Sequence, residues 1–166
     1  NVFLKYPDNS AGSIMTNEML ELHDRLTVAD AIGKIRKIGP GKETVYTAYC
    51  IDNGRHLIGT VSLQDLLFAK DSQNVNEIMD LEDKVISVNT LDDQEEVADI
   101  VKKYDLIAVP VVDNEKRLVG IITVDDIVDV IEKEATEDFE KMAKVQHSDE
   151  GYFKTGVFKH YRNRIV

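Results

Sequence analysis

One passage occurs twice in this chain, and both copies end in the same polar pair. Residues 57–67 and 118–128 align without a gap at an offset of 61, and each reads apolar-apolar-Gly-x-x-(Ser/Thr)-x-x-Asp. Farther out, Ile14-Met15 aligns with Ile78-Met79. A unit of about sixty residues buries only one face of a small sheet, so a single copy is marginally stable. The duplication therefore predicts two similar halves that pack as one body.

Each copy predicts the same order of elements, β-α-β-β-α. In the first copy, hydrophobic periodicity predicts helices at 27–37 and 62–69 and strands at 44–51 and 56–61. Residues 70–77 are polar and are interpreted as a linker.

The second copy predicts short strands at 85–88, 106–112 and 117–122, with a helix opening at Thr123. Its first helix carries one apolar stripe, made of Val97, Ile100, Val101 and Tyr104. Pro110 has no amide hydrogen to donate, so we expect its strand to lie at a sheet edge there or to begin its pairing beyond it.

These elements predict an α/β (α+β) fold, in which two β-α-β-β-α repeats form a pseudo-two-fold pair followed by a C-terminal amphipathic helix. We expect residues 1–13 to be the end of a preceding domain or a linker, 14–70 the first repeat, and 71–77 a linker. The second repeat takes residues 78–135, and 136–166 form the end of an acidic helix and a connecting helix.

Composition excludes several classes of protein. The net charge of −11 argues against nucleic acid as a partner, because phosphate binding requires clustered Lys and Arg. The single cysteine, Cys50, rules out an internal disulfide framework and is interpreted as a buried thiol in a strand. No apolar run reaches the roughly 18 residues that a membrane-spanning helix needs.

The doubled order and the closing Gly-x-x-(Ser/Thr)-x-x-Asp motif resemble a tandem pair of cystathionine-β-synthase (CBS) domains over residues 14–131. The resemblance implies a regulatory module that binds adenine nucleotides or metals and passes the signal to an attached effector. Residues 6–16, 93–98, 103–106 and 123–138 resemble the cytosolic region of MgtE-type magnesium transporters. In that family a CBS pair continues into a helix that plugs the membrane pore.

The polar pair that closes each copy has two interpretations. Ser62 and Thr123 stand where a strand ends and a helix begins, with Asp65 and Asp126 three residues on. This spacing is close to a capping box, in which both side chains satisfy free backbone amides. Alternatively, the helix N-terminus offers amides to phosphate while the Asp accepts hydrogen bonds from a ribose. The CBS resemblance implies the second role, which makes these four residues candidate nucleotide ligands.

An acidic run forms the second candidate site. Residues 125–140 contain eight carboxylates and one basic residue, Lys133. On a helix, each like-charge pair at i,i+4 spacing costs about 0.2–0.5 kcal/mol. The run is either a solvated acidic face or a surface neutralised by divalent cations. Magnesium is the favoured cation, because it needs only one or two carboxylates and the chain lacks zinc-type and EF-hand spacings.

The MgtE resemblance implies magnesium ligands at eight carboxylates between residues 93 and 138. These are Asp126, Asp129, Glu134, Glu137, Asp138, Asp93, Glu95 and Asp105. In the family, further ligands come from an N-terminal helical domain and a membrane domain, which this chain lacks. Sites that bridge domains are therefore expected to be incomplete here.

Residues 152–166 differ in character, with four basic and no acidic side chains. Phe153, Val157, Tyr161 and Ile165 recur every four residues, which predicts a basic amphipathic helix. It is either an ordinary packed terminal helix or one that contacts a membrane surface or partner helix. The resemblance implies the pore-plugging helix.

Catalysis finds little support, since the four histidines are scattered and the acids come with no nucleophile. A metal-dependent hydrolase is the enzyme hypothesis to keep. Our interpretation is a non-enzymatic, Mg²⁺-sensing CBS pair that gates a magnesium channel from the cytoplasmic face of the membrane. We expect it to act as a homodimer, together with the helical and transmembrane domains of the same protein, and to bind ATP as a second ligand. The alternative is an adenine-nucleotide module attached to another effector.

Overall fold

A computed structural model describes residues 6–42, 46–81 and 84–148. Within these residues, seven strands form two sheets. The strands are β1 Glu21–His23, β2 Thr47–Ile51, β3 Leu57–Ser62, β4 Asp80–Leu81, β5 Val88–Asn89, β6 Ala108–Val112 and β7 Leu118–Thr123. The first sheet has the order β1-β2-β3-β4 and the second the order β5-β6-β7. In each sheet the first strand is parallel to the second, and the remaining pairs are antiparallel.

The described helices flank these strands. They are α1 Ala11–Ile14, α2 Val28–Ile38, α3 Leu63–Phe68, α4 Val75–Ile78, α5 Gln94–Tyr104 and α6 Val124–Ser148. Helix α2 begins where the Thr27 hydroxyl accepts a hydrogen bond from the Asp30 amide at 3.2 Å, as expected of an N-cap. Helix α5 buries Val97 and Val101, but Tyr104 is 48% exposed, so the predicted apolar stripe ends one turn early.

The β2–β3 and β6–β7 hairpins have the same pairing register at equivalent residues. Thr47 pairs with Ser62 in the first sheet, and Ala108 pairs with Thr123 in the second, 61 residues on in both strands. Both hairpins also shift register at the same point, between residues 50 and 51 and between residues 111 and 112. The predicted fold class, two similar α/β repeats, is confirmed. The two repeats share even the position of the β-bulge.

The predicted strand at 85–88 is wrong in extent, since β5 contains only Val88–Asn89. Strand β6 lies at the centre of its sheet, and its parallel pairing with β5 begins at Val111. At Pro110 the strand is paired with Ile121 of β7 alone, so it is a sheet edge on the β5 side at this residue, as the first of the two alternatives states.

The predicted linker is partly helical. Within residues 70–77, α4 begins after Asn74, whose amide donates to the Glu77 carboxylate at 2.7 Å in a capping box. The sequence pattern missed this helix because its four residues are too few for a periodicity to show. Residues 44 and 45 of the predicted strand and the predicted helix at 152–166 lie outside the described residues.

The two Ile-Met segments are exchanged between the halves. Helix α1 with Ile14 and Met15 packs in the core of the second repeat, whereas α4 with Ile78 and Met79 packs in the core of the first. Each half of the structure thus contains a segment from outside its own repeat. The boundaries drawn at 14–70 and 78–135 follow chain order and stay a prediction.

This exchange explains the glycine of the repeated motif. A Cβ added at Gly120 would lie 2.8 Å from both the Met15 sulfur and the Thr16 carbonyl oxygen. A Cβ at Gly59 would collide in the same way with the Met79 sulfur and the Asp80 carbonyl. Glycine stands at both positions because a backbone segment from the other repeat passes directly over it.

The halves meet across a third apolar cluster. It contains Met19, Tyr49, Ile51, Leu57, Val112, Leu118 and Ile121. Two backbone hydrogen bonds cross the junction reciprocally: the Leu57 amide donates to Lys116 at 3.0 Å, and the Leu118 amide donates to Arg55 at 2.9 Å. Since 57 and 55 become 118 and 116 on adding 61, the two bonds are equivalent under the repeat, as the predicted pseudo-two-fold pair requires.

Equivalent aspartates close the two hairpins. The Asp52 carboxylate accepts hydrogen bonds from the His56 and Gly54 amides, and these bonds hold its pKa below the ordinary value. Burial raises the pKa of Asp113, but bonds from the Arg117 and Glu115 amides outweigh it, so the net shift is again downward. A lowered pKa means that each carboxylate stabilises its turn above pH ~4 and loses this contribution as the pH falls through the folded-state pKa. These acids therefore have a structural role.

The chain divides into two compact units, residues 1–127 and 128–166. The first contains both sheets. The described part of the second is the remainder of α6, up to Ser148. In the part of the chain that the structure describes, no helix combines the length and the apolar character that crossing a bilayer requires.

Candidate nucleotide cleft and acidic carboxylates

Ser62 is a helix cap in this structure. Its hydroxyl accepts a hydrogen bond from the Asp65 amide at 3.0 Å and so satisfies one free donor at the start of α3. The Asp65 carboxylate is exposed to solvent. The capping interpretation is therefore confirmed for Ser62, and the Asp65 side chain remains accessible to a ligand.

The equivalent pair in the second repeat is bonded differently. Thr123 is buried, at 8% exposure, and its hydroxyl donates to the Asp126 carboxylate at 3.2 Å. The carboxylate of Asp126 is half-buried. The two motifs are thus alike in sequence but differ in which groups are left to bind a ligand.

Both helix starts adjoin a shared cleft. The Leu63 amide donates to the Tyr46 carbonyl at 2.9 Å, and the Val124 amide donates to the Ile107 carbonyl at 2.8 Å. Tyr46 and Ile107 line one cleft of about 300 Å³. The structure therefore brings both Ser/Thr-x-x-Asp motifs to residues that line the same cleft.

The cleft is apolar with a few polar groups, a combination typical of small-ligand sites. Its other lining residues are Thr47, Tyr49, Thr60, Lys84, Val85, Ile86, Asp105, Leu106, Ala108 and Pro110. Tyr46 and Ile107 are 66% and 60% exposed, which leaves apolar surface available to a planar ring. Lys84 supplies a cation and Asp105 a carboxylate. Our sequence reasoning missed Tyr46, Lys84 and Ile107, although the equivalence of positions 46 and 107 at the 61-residue offset was available as a signal.

Helix α5 separates its predicted metal ligands. Asp93 caps the helix by accepting a hydrogen bond from the Glu95 amide at 2.9 Å, so these two acids lie together. Asp105 ends the same helix in the left-handed conformation, at φ 52°. Twelve residues at a rise of about 1.5 Å put it roughly 18 Å from Asp93, too far for a shared ion.

The other predicted ligands, Asp126, Asp129, Glu134, Glu137 and Asp138, all lie on the single helix α6. Glu134, Glu137 and Asp138 have i, i+3 and i+4 spacing and so share one face. Among the described residues, no three His, Cys, Asp or Glu side chains come together as a metal-binding group. The predicted ligands are thus present as pairs and rows of carboxylates, of which hydrated Mg²⁺ needs only one or two.

Cys50 lies in β2 and is fully buried, as the sequence predicts. Burial, with a further contribution from Asp24, raises the pKa of its thiol to about 12. The thiolate is the nucleophilic form of cysteine, so this side chain is unreactive at neutral pH.

The two sheets of equal register, joined across a pseudo-two-fold junction, define a paired CBS module. The model of the CBS domain family matches residues 11–72 and 75–133, and the chain belongs to this family. Magnesium transporter MgtE of Thermus thermophilus is 43% identical over 152 residues, which cover 92% of this chain and 33% of that protein. MgtE of Bacillus subtilis is 40% identical over 142 residues, which cover 86% of this chain and 31% of that protein.

The chain spans about a third of the length of these curated relatives.

Two solved structures are also similar to this chain. The soluble part of a magnesium transporter matches with a TM-score of 0.74 at 42% identity, covering 78% of this chain and 50% of that one. The cytosolic domain of the Mg²⁺ channel MgtE in complex with ATP matches with a TM-score of 0.71 at 43% identity, covering 75% and 50%.

Proposed function

We propose that this chain is the Mg²⁺-sensing regulatory CBS pair of an MgtE-type magnesium transporter, acting at the cytoplasmic face of the membrane. The observation that carries this proposal is the 43% identity over 152 residues to a magnesium transporter. The carboxylates of α6 support it, because residues 125–140 contain eight acids and only one basic residue, Lys133. No catalytic role is proposed.

The mechanism follows from charge. At high magnesium, ions bind carboxylates of α5 and α6 together with acids from a second copy or neighbouring domains, and so offset their repulsion. This compact arrangement keeps the pore closed. At low magnesium, the unscreened carboxylates repel one another and the connecting segment is released. Ligands from several parts of the assembly are needed because the described residues of one chain bring no three acids together.

The acidic helix gives a test in which the effect changes sign. Replacing Glu134→Gln and Asp138→Asn together removes one i,i+4 repulsion, so at low magnesium the variant should be more stable by about 0.2–0.5 kcal/mol. At about 20 mM magnesium, enough to saturate millimolar sites, the variant should be less stable than the parent chain because it has lost ligands. Thermal melting at matched ionic strength measures both differences.

The matched control is Glu132→Gln with Glu140→Gln, which changes the net charge equally at acids that are not predicted ligands. This control should be at least as stable as the parent chain at both magnesium concentrations. If the Glu134/Asp138 variant behaves like the control, these acids form a solvated face. If the melting of the parent chain does not respond to magnesium at all, the sensor proposal fails.

Adenine nucleotide is the second proposed ligand. Its proposed site is the cleft of about 300 Å³ that Tyr46 and Ile107 line. One similar solved structure, the MgtE cytosolic domain, is a complex with ATP. In our chain the exposed Asp65 carboxylate is available to a ribose, and Lys84 is available to a phosphate. The lack of a Gly-rich phosphate loop predicts modest affinity.

Asp65→Asn separates capping from ligand binding. Because the Ser62 hydroxyl bonds to the backbone amide of residue 65, the variant keeps the cap and should stay within about 1 kcal/mol of the parent stability. ATP affinity, measured by calorimetry, should fall at least tenfold, or about 1.4 kcal/mol. The absence of ATP binding to the parent chain would leave Asp65 without a ligand role.

A second copy of the chain is the proposed partner. On α3, Leu67 is 59% exposed and Phe68 is 82% exposed, and apolar side chains of this size favour burial in an interface. Sedimentation should show a species of twice 18.7 kDa, that is 37.4 kDa. The double variant Leu67→Lys, Phe68→Lys should shift the chain toward monomer. A monomer at every concentration, with and without magnesium, contradicts the dimer.

A further inference from the structure

Residues 9–16, here called the strap, come before the first sheet in the chain but are hydrogen-bonded to the second half. The Ala11 amide donates to Asp92 at 2.7 Å and the Gly12 amide to Thr90 at 2.8 Å. At the far end, Thr16 and Ile121 exchange two backbone hydrogen bonds of 2.8 Å each. The strap is therefore fixed to the second half along its whole length.

The strap also shares an apolar core with the start of α6. Ala11 at 0% exposure, Val97 at 0% and Ile127 at 1% belong to one buried cluster. Ile127 lies in the first turn of α6. Movement of α1 would therefore disturb a core to which this turn contributes Ile127, and closely packed cores transmit such displacements.

The path of the chain gives the second connection. Ile121 lies in β7, which ends at Thr123 and continues directly into α6 at Val124. The strap is thus bonded to this strand three residues before the helix begins. Met15 adds a side-chain contact, because its sulfur lies over Gly120 of the same strand.

We propose that the strap couples the N-terminal side of the chain directly to the second half and to the start of α6, bypassing the first sheet and its helices. A displacement of residues before Asn9 then changes β7 and the first turn of α6 before it changes α2 or β2. As a regulatory device this rests on the proposed function, since it brings the state of the preceding segment to the acidic helix. The coupling itself is independent of magnesium.

The first half contains an equivalent segment, which provides the control. Val75 corresponds to Ala11 at the 64-residue offset of the Ile-Met pairs and is likewise 0% exposed. Its amide donates to Leu26 at 2.8 Å, and the Asn76 amide donates to Asp24 at 3.0 Å. Loosening this segment should affect the first half in the same way that loosening the strap affects the second.

Native-state hydrogen exchange, run with magnesium chelated, tests the coupling. Ala11→Gly weakens α1 and should raise exchange about two- to fivefold in α5, β7 and the first turn of α6, while α2 and β2 stay unchanged. Val75→Ala should show the reverse distribution, with faster exchange in α2 and β2. A chain that begins at residue 17 should show the Ala11→Gly pattern with a larger increase.

Two results overturn the proposal. One is faster exchange confined to residues next to the substitution along the chain, up to β1. The other is an equal increase in both halves for Ala11→Gly. If the shortened chain fails to fold, the point variants still decide between these outcomes. Because magnesium is absent throughout, a failure here leaves the magnesium proposal standing, and a failure of the magnesium test leaves the coupling standing.

Discussion

Replacing Gly120 with alanine is expected to lower the free energy of unfolding by about 1–3 kcal/mol, the usual cost of forcing an extra carbon into a packed core. The new Cβ would lie 2.8 Å from the Met15 sulfur and from the Thr16 carbonyl oxygen. The Met15 side chain can turn aside, but the carbonyl belongs to backbone that is hydrogen-bonded to Ile121 and cannot move freely. Urea denaturation measures the loss as a lower midpoint at constant slope.

Gly33→Ala is the matched control, with the opposite expected sign. Gly33 lies within α2, is exposed, and has no atom within 4 Å of an added Cβ. Alanine there should stabilise the chain by about 0.5–1 kcal/mol, because glycine is the poorer helix former. If both substitutions shift the midpoint the same way, the close approach at Gly120 does not limit the fold.

Leu118→Ala is expected to cost about 2–5 kcal/mol, as other large-to-small substitutions in cores do. Leu118 is 1% exposed and belongs to the cluster between the halves, together with Leu57 and Ile121. Because that cluster belongs to both repeats, the variant should weaken the first half as well as the second. Unfolding should stay a single transition by circular dichroism and by tyrosine fluorescence.

The control for this substitution is Leu91→Ala, which truncates a leucine that is 57% exposed. Its effect on the monomer should stay within about 0.5 kcal/mol. Two separate unfolding transitions in Leu118→Ala, one of them unshifted, would show that the repeats are independent of each other. That result would contradict the shared core.

Sequence pattern alone predicted most of the elements of the first half. Helix α2 begins after Thr27 and α3 after Ser62, as expected, because both starts carry a hydroxyl that caps the helix. Strand β3 was predicted within one residue at each end, since its apolar and β-branched residues stand between the polar His56 and Ser62. Such local signals need no knowledge of the tertiary structure.

The exchange of the Ile-Met segments could not be predicted in this way. Ile14 and Ile78 look the same in sequence, and apolar pattern tells only that each is buried, not in which half. Short elements were missed or misplaced for a related reason, because β5 has two residues and α4 has four. At that length, tertiary contacts rather than periodicity decide the structure.

The candidate site was predicted unevenly. The Ser/Thr-x-x-Asp motifs were found because they are local, but the cleft beside them also needs Tyr46, Lys84 and Asp105, which come from separate segments. Asp105 was predicted as a metal ligand through the family resemblance, and the structure places it among the residues that line this cleft. Asp105 and Asp93 lie at opposite ends of α5, so the length of this helix keeps them apart. The family resemblance, which assigned both as metal ligands, did not indicate this separation.

The glycine beneath each Ile-Met segment makes each repeat depend on the other. A single repeat, expressed alone, would leave the groove over its own glycine empty, because the segment that fills it comes from the other repeat. Two identical copies of one repeat could fill both grooves by exchanging these segments. The present chain therefore has the arrangement of a swapped, symmetric dimer whose two copies are joined covalently, and a single repeat expressed alone is expected to associate in pairs.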